Sequence, residues 1–267
     1  MTRPPSGAPA LVLAAGDIAS CDSEGDEATA AMLDGLPGTL LTLGDNVYPE
    51  GTADAFARCY APSWGRHLGR TRPVPGNHDY LVPGALPYFD YFGAAAGERG
   101  KGYYSYEVGS WHVVALNSEL RDAALVEQAR WLREDLQAHP ARCTLAYLHR
   151  PLFTSMRERN NAFVKPLWDA LYEAGAEVVL AGHDHFYERF APQTPGGQRD
   201  EARGLRQFVV GTGGKSFYPL EPAPENSEQR LGERHGLLRL TLEDGAYGWE
   251  FLQVDGVTGD RGRGTCH

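Results

Sequence analysis

Residues 178–189 read VVLAGHDHFYER, a short apolar run that ends on glycine and then presents two histidines and an aspartate. The apolar run at 178–181 predicts a buried strand, and the polar residues after it predict a loop at the strand's carboxyl end. Open α/β sheets collect their binding sites at the carboxyl ends of their strands. In an extended segment, His183 and His185 would project to one side and Asp184 to the other. The stretch therefore predicts an α/β protein with a site at a strand end.

Four more stretches have the same form, in which an apolar segment ends beside a polar side chain. The segments at residues 11–15, 39–43 and 73–75 lead into GDIAS (16–20), GDNVY (44–48) and GNHD (76–79), and CTLAYLH at 143–149 ends on His149. The glycines in these loops allow a tight turn and a close approach of the backbone to a ligand. Five strand ends of this kind, supplying carboxylate, amide and imidazole donors, predict a two-metal hydrolytic site.

The composition is typical of one globular domain of enzyme size. The chain has 267 residues, 42% of them hydrophobic, and no break that resembles a linker, so we expect a single domain over residues 1–267. The formal net charge of −10 disfavours a sequence-independent nucleic-acid binder, which needs a basic surface to displace counterions. Any attraction for phosphate must therefore be local, and bound metal would supply it. The sequence leaves the oligomeric state open.

Neither a membrane helix nor a signal peptide is predicted from the sequence. The apolar runs stay well short of the roughly 18 residues that a membrane helix needs. Residues 1–9 lack the apolar core of a signal peptide. We therefore expect a cytoplasmic protein, and the alternative is secretion with the leader removed.

The four cysteines do not form a zinc-binding pattern. Cys21, Cys59, Cys143 and Cys266 form no CxxC pair, so a thiolate zinc site is not expected. Free thiols are the simplest interpretation. If the protein is exported, a disulfide between Cys21 and Cys59 would tie the first ligand loop to the segment after the second.

The spacing of apolar residues predicts the remaining elements. Helical spacing predicts three helices, at residues 26–36, 125–139 and 163–174, and the aromatic-rich segments 54–64 and 86–92 are expected to be short helical or irregular segments. Alternation predicts two hairpins and one further strand, at residues 103–117, 236–254 and 207–210. Two polar stretches rich in Pro and Gly, 192–201 and 218–233, predict loops that either border a substrate or lie exposed in solvent.

Together, the five blocks resemble a known family, the calcineurin-like metallophosphoesterases. That family's signature runs Asp, GD, GNH(E/D), His and GHxH, and each block is present here in that order. Within the family the chain is most similar to purple acid phosphatases. Many relatives have Asp-x-His in the first block, but here Asp17 is followed by Ile18 and Ala19, so that histidine is absent. Tyr48 stands three residues after Asp45, where the purple acid phosphatases have a phenolate ligand.

The resemblance implies a fold, a four-layer α/β/β/α sandwich of two mixed β-sheets flanked by helices. It also implies a ligand set. One metal would be held by Asp17, Asp45, Tyr48 and His185, and the other by Asp45, Asn77, His149 and His183. Asp45 is the expected bridging carboxylate. A phenolate favours Fe(III) in the first position, and the second ion would be divalent, with Zn, Mn and Fe all compatible with its donors.

The resemblance also implies a function, dimetal-dependent hydrolysis of phosphoric esters, most simply of phosphomonoesters, and with it a small phosphorylated molecule as the expected partner. A metal-bound hydroxide would attack phosphorus, and His78 would face the phosphate and protonate the leaving group. Arg150 either contacts phosphate oxygens or faces solvent. Asp79, often Glu in the family, would hold a metal ligand in position without binding the metal itself.

Two other functions remain open on the sequence. The same dimetal core would make a phosphodiesterase if the pocket admits a second substituent. A module that binds metal or phosphate without turnover is the weaker alternative, because degenerate copies usually lose ligands and this chain has all seven. For His67, His112, His139, His235 and His267, outside the blocks, we expect structural or surface roles.

Overall fold

Two mixed β-sheets form the centre of the structure, a computed structural model that describes residues 8–156 and 161–267. The strands are β1 (Ala10–Ala15), β2 (Ala19–Ser20), β3 (Thr39–Leu43), β4 (Val47–Tyr48), β5 (Thr71–Val74), β6 (Tyr104–Val108), β7 (Trp111–Ala115), β8 (Thr144–Leu148), β9 (Val178–Ala181), β10 (Tyr187–Phe190), β11 (Arg206–Val210), β12 (Ser227–Leu231), β13 (Gly236–Glu243), β14 (Ala246–Gln253) and β15 (Thr258–Thr265). The α-helices are α1 (Gly25–Asp34), α2 (Ala53–Ala55), α3 (Leu86–Phe92), α4 (Asp122–Ala138) and α5 (Lys165–Glu173).

The strand order brings the carboxyl ends of the site-bearing strands together. The first sheet runs β15-β14-β13-β1-β3-β5, and the second runs β12-β10-β11-β9-β8-β7-β6. Strands β1, β3 and β5 are mutually parallel, and so are β8 and β9. The short parallel pair β2 and β4 then joins the loop after β1 to the loop after β3.

The central strands β8 and β9 of the second sheet are buried on both faces, which is why they are almost entirely apolar. In β8, Leu145 and Tyr147 belong to the core between the sheets, while Ala146 and Leu148 belong to the core under α4 and α5. This alternation follows from the two-residue period of a strand. The expected sandwich of two mixed sheets and flanking helices is therefore confirmed.

Five strands were missed in the sequence: the short strands β2 and β4, strand β10 after the GHDH loop, and strands β12 and β15. Strand β12 lies inside the stretch 218–233 that we predicted to be a loop, and it pairs with β10. Strand β15, TGDRGRGT, pairs with β14 at the edge of the first sheet. Its Gly262 and Gly264 lie against the rings of Trp249 and Tyr247, where a Cβ would collide. Glycine is required there by contact with residues on another strand, and such a contact leaves no periodic pattern.

All four cysteines form disulfides, so free thiols, one of the two alternatives that the sequence left open, are excluded. Cys21 pairs with Cys59, as in the alternative, and Cys143 pairs with Cys266. The second pair went unpredicted because 123 residues separate its cysteines. Within residues 8–156 and 161–267, every helix is too short or too polar to cross a membrane.

Candidate metal centre

Seven polar side chains converge where the strands of both sheets end. Six of them are almost fully buried, and the seventh, Asn77, is half-buried. They are the predicted ligands Asp17, Asp45, Tyr48, Asn77, His149, His183 and His185. Burying so many polar groups is costly unless they are paired or bind a cation.

One group of donors surrounds the Tyr48 hydroxyl. Its Oη lies 2.8 Å from Asp17 Oδ1, 3.0 Å from Asp45 Oδ2 and 3.1 Å from His185 Nε2. His185 Nε2 is in turn 3.3 Å from Asp17 Oδ1. Two carboxylate oxygens, a phenol and an imidazole nitrogen thus face one point.

A second group surrounds His149 Nε2. This nitrogen lies 3.3 Å from Asp45 Oδ2, 3.1 Å from Asn77 Oδ1 and 3.1 Å from His183 Nδ1. Donor atoms of Asp45, His149 and His183 all lie within 4.8 Å of one another. Asp45 Oδ2 therefore belongs to both groups. This donor set of anionic oxygens, an amide and imidazoles fits two metal ions that share one carboxylate.

Protons and metal ions compete for these atoms. Burial lowers the pKa of His149, but the carboxylates of Asp45 and Asp17 outweigh it and raise this pKa to about 9. Burial works to raise the pKa of Asp45, yet His149 and His78 hold it well below its usual range. Burial, with the carboxylates of Asp17 and Asp45, raises the pKa of Tyr48 far above its usual value. The proton on the neutral Tyr48 phenol and the positive charge on the His149 imidazolium thus take the places that bound cations would occupy.

Hydrogen bonds from behind fix which nitrogen of each ring faces the centre. His149 Nδ1 lies 2.8 Å from the Leu43 carbonyl, and His185 Nδ1 lies 2.6 Å from the Ser216 carbonyl. Each Nδ1 therefore carries a proton that it donates, and each Nε2 points into the site. Such backing is typical of histidines that bind metals.

The backbone of the GHDH loop differs from the expected extended segment. His183 has φ +73°, and its N–H donates to Asp17 Oδ2 at 2.8 Å. His183 and His185 still reach the same centre, while Asp184 accepts a hydrogen bond from Thr154 on the other side. A bend in the backbone, rather than strand alternation, thus places Asp184 on the opposite side from His183 and His185, as predicted.

Asp17, Asp45 and His183 all have positive φ, at 59°, 48° and 73°. Residues other than glycine adopt this conformation only at a cost. Gly44, at φ +82°, is required for another reason, since its missing Cβ would lie 2.5 Å from His149 Nδ1. Three predicted ligands in these loops thus have a strained backbone conformation, and Gly44 leaves room for the ring of His149.

His78 lies at the open side of the centre. Its N–H donates to Asp45 Oδ1 at 2.7 Å, and its Nδ1 lies 2.6 Å from the Pro49 carbonyl. Its Nε2 is 3.9 Å from Asp45 Oδ2, and 31% of the side chain is exposed. A group of this kind can exchange protons with a molecule in the site.

Arg150 contacts the centre rather than facing solvent. Its Nη1 lies 3.0 Å from His183 Nε2. Glu119 holds the other side of the guanidinium by two hydrogen bonds, at 2.7 Å and 3.1 Å. Glu119 did not stand out in the sequence, because an acidic residue in a loop has no motif.

The residues around the ligands connect one loop to the next. Asp79 Oδ2 accepts hydrogen bonds from the N–H groups of Gly76 and Asn46, at 2.8 Å and 3.3 Å, and so joins the loops that carry Asn77 and Asp45. Burial raises the pKa of Asp79 to about 7. Glu188 accepts from Ser155 and Ser227, and Arg189 pairs with Glu228 and Asp260.

Two further residues near the centre were missed in the sequence. Lys215 Nζ lies 4.9 Å from the centre of the Tyr48 ring. The ring of Tyr218 stacks on that of His185 at 4.0 Å. The GTGG stretch at 211–214 signals a close loop approach, but it does not indicate that Lys215 and Tyr218 border the centre.

Comparisons with known proteins agree with this geometry. A sequence model of the calcineurin-like phosphoesterase family matches residues 5–187. Purple acid phosphatase 21 of Arabidopsis thaliana is 30% identical over 151 residues, which are 52% of this chain and 34% of that protein. Probable inactive purple acid phosphatase 9 of the same plant is 28% identical over 68% of this chain and 32% of that protein. The chain thus spans about a third of the length of these two relatives.

A solved structure extends the similarity to the whole fold. The structure of purple acid phosphatase PPD1 from yellow lupin seeds superimposes on 98% of this chain, and the match takes in 55% of the PPD1 chain. The TM-score is 0.74 and the sequence identity is 18%. At 18% identity, the structural match supports the fold alone. Membership of the family rests on the sequence model, which matches more than half of this chain. The chain therefore belongs to the calcineurin-like phosphoesterase family and resembles its purple acid phosphatase branch.

Proposed function

We propose that this chain hydrolyses phosphomonoesters with two metal ions held by its seven clustered donors. The observation that carries the proposal is the shared position of Asp45 Oδ2, 3.0 Å from Tyr48 Oη and 3.3 Å from His149 Nε2. One carboxylate oxygen facing two donor groups suits a pair of ions about 3.5 to 4 Å apart. When bound, such ions activate water and neutralise charge on phosphoryl oxygens.

The donor types support a different ion for each group. Asp17, Asp45, Tyr48 and His185 would hold Fe(III), because a phenolate and two carboxylates favour a hard trivalent ion. Asp45, Asn77, His149 and His183 would hold a divalent ion, Zn, Mn or Fe(II). One of the relatives carries the name of an inactive protein. This chain retains all seven donors, which supports turnover.

His78 would supply the proton for the leaving group. Its Nδ1 is engaged by the Pro49 carbonyl at 2.6 Å, so a second proton on this ring is held at Nε2. The partial exposure of the ring gives Nε2 access to a molecule in the site. A general acid needs both a held proton and access to the leaving oxygen.

Arg150 would bind phosphate oxygens once the metals are in place. Its Nη1 now donates to His183 Nε2. If His183 binds a metal through Nδ1, then Nε2 carries the ring proton and becomes a donor. Two donors repel, so Nη1 must turn to another acceptor, while Glu119 keeps the rest of the guanidinium in place. A phosphate oxygen is the acceptor that a substrate would offer.

Arg150→Lys should raise KM for a phosphomonoester about tenfold or more with little change in kcat, because a charge-assisted hydrogen bond is worth roughly 1.5 to 3 kcal/mol. Lysine keeps a cation beside Glu119 but loses the planar fork. Steady-state kinetics on the metal-loaded protein measure the effect. Arg121→Lys is the matched control, since Arg121 also faces Glu119, at 3.8 Å, but its guanidinium lies over the ring of Phe163. An unchanged KM in Arg150→Lys would contradict a phosphate contact.

The reaction itself is tested with p-nitrophenyl phosphate beside bis(p-nitrophenyl) phosphate. Freshly purified protein is loaded with iron, zinc or manganese in separate samples. We expect faster cleavage of the monoester. Asp45→Asn, purified in the same way, shows whether any activity comes from a contaminating phosphatase.

Each outcome of this assay leads to a different conclusion. Faster cleavage of the diester would replace the phosphatase proposal with a phosphodiesterase and leave the donor set in place. Absence of cleavage of either ester by fully metal-loaded protein would contradict an enzymatic role and favour the binding module.

A further inference from the structure

A second cluster of metal-binding residue types lies at the opposite end of the second sheet. His112 in β7 is paired with Thr144 at the start of β8, whereas His149 follows the end of β8. At about 3.3 Å per residue along a strand, the two sites are separated by about 17 Å. The second cluster comprises Glu107, His112, Asp135 and His139, and it shares no residue with the first centre.

The cluster is built around the buried carboxylate of Asp135. Asp135 Oδ2 lies 2.8 Å from His112 Nε2, and His139 Nδ1 lies 3.2 Å from Asp135 Oδ1 and 3.0 Å from the backbone carbonyl of Asp135. Ligand atoms of His112, Asp135 and His139 all lie within 4.8 Å of one another. His112 and Asp135 are almost fully buried, while His139 is half exposed. Two imidazoles and a carboxylate at this spacing match a three-ligand zinc site.

The surroundings of His112 add a second, independent feature. Its other nitrogen, Nδ1, lies 2.8 Å from Glu107 Oε1. A histidine that binds a metal almost always donates its remaining N–H to a carboxylate or carbonyl, which fixes the ring. Ser105 in turn donates to Asp135 Oδ1 at 2.7 Å and orients the carboxylate. The cluster therefore contains both ligand-type residues and the residues that hold them.

The backbone explains why these residues meet. Asp135 and His139 are four residues apart at the end of α4, so they lie on one side of the helix. Glu107 and His112 are directly opposite each other in the hairpin of β6 and β7. The N–H of His112 also donates to the carbonyl of Cys143, the cysteine that is bonded to Cys266. Helix, hairpin and disulfide together fix the cluster.

An open cavity of about 450 Å³ adjoins the cluster and gives it a path to solvent. Its lining includes Glu107 and His139 from the cluster, together with Ser110, Pro140, Ala141 and Arg142. A three-ligand zinc ion keeps a fourth position for water or another small ligand. The cavity offers room for one, and Arg142 gives its wall a positive charge.

We propose that His112, Asp135 and His139 bind a zinc ion, that Glu107 orients His112, and that the fourth zinc position faces this cavity. The competing interpretation is an ion-pair network in which a protonated His112 lies between two carboxylates. The two interpretations differ in one measurable property, since only the first takes up a metal ion and releases protons.

The test measures zinc uptake by chelator-treated, disulfide-bonded protein in competition with a chromophoric chelator. His139→Ala should bind one equivalent of zinc fewer than the original chain, irrespective of how many ions the first centre holds. Glu107→Gln should keep this equivalent at saturation but bind it about 10- to 100-fold more weakly, as expected for a residue that orients a ligand. Because the His139 side chain is 54% exposed, its truncation should leave the fold intact, which circular dichroism checks.

His267→Asn is the matched control. His267 also lies beside a buried carboxylate, with Nδ1 2.9 Å from Glu177 Oε2, but it belongs to neither metal-ligand cluster found in the described residues. It should bind as much zinc as the original chain. Equal zinc stoichiometry and affinity in His139→Ala and the original chain would overturn the proposal and leave an ion-pair network.

Discussion

Replacing Asp45 with asparagine should lower phosphomonoester turnover by on the order of 10³-fold or more, and should remove at least one bound metal ion. Asparagine keeps the shape of the residue and can still accept the hydrogen bond from the N–H of His78 through one oxygen. The other position becomes an NH₂ group between Tyr48 Oη and His149 Nε2. An amide nitrogen there cannot serve as an anionic oxygen shared by two cations.

Metal analysis after gel filtration and steady-state kinetics measure the two effects together. Asp184→Asn is the control, because Asp184 lies between His183 and His185 in the chain but accepts a hydrogen bond from Thr154 instead of facing the centre. It should retain both ions. Two bound ions in Asp45→Asn, with activity near that of the original chain, would rule out Asp45 as the shared ligand.

The second large effect concerns colour. Protein loaded with iron should absorb visible light through charge transfer from the Tyr48 phenolate to Fe(III), and Tyr48→Phe should lose most of that absorbance. The phenol lies 2.8 Å from Asp17 Oδ1 and 3.1 Å from His185 Nε2, so it is close to every other donor of its group. The measurement is an absorption spectrum at equal iron content.

Tyr218→Phe is the matched control for this experiment. Tyr218 stacks on His185 at 4.0 Å and is therefore also near the centre, but it is not one of the proposed ligands. It should leave the visible band unchanged. Iron-loaded original protein without colour, or Tyr48→Phe that keeps its colour, would show that the phenol does not bind the metal.

The sequence allowed the gathering of the seven donors to be predicted because each one follows a strand whose apolar pattern is clear. In parallel strands the carboxyl ends lie at one edge, so Asp17 after β1 and Asp45 after β3 become neighbours. His149 after β8 joins them across the two sheets, with its ring on the carbonyl of Leu43. Local sequence determines the strand ends, and general rules of sheet topology bring them together.

Contacts between distant residues that follow no motif were not predictable. Glu119 became part of the site through Arg150, and Cys266 is tied to the second sheet through its bond to Cys143. Strand β15 is specified by the rings of Trp249 and Tyr247 above its glycines rather than by its own alternation. The contact of His112 with Asp135 likewise joins β7 to α4 and is visible only in three dimensions.

The positive φ angles of Asp17, Asp45 and His183 have a consequence for how this protein tolerates change. Each angle costs free energy, on the order of 1 kcal/mol or more, that the rest of the fold must offset. Glycine at any of these positions would relieve the backbone and remove a donor at the same time. Thermostability and catalysis therefore impose opposite demands on the same three residues. A laboratory selection for heat resistance alone, with no requirement for turnover, should accumulate substitutions at these loops before it alters the sheets.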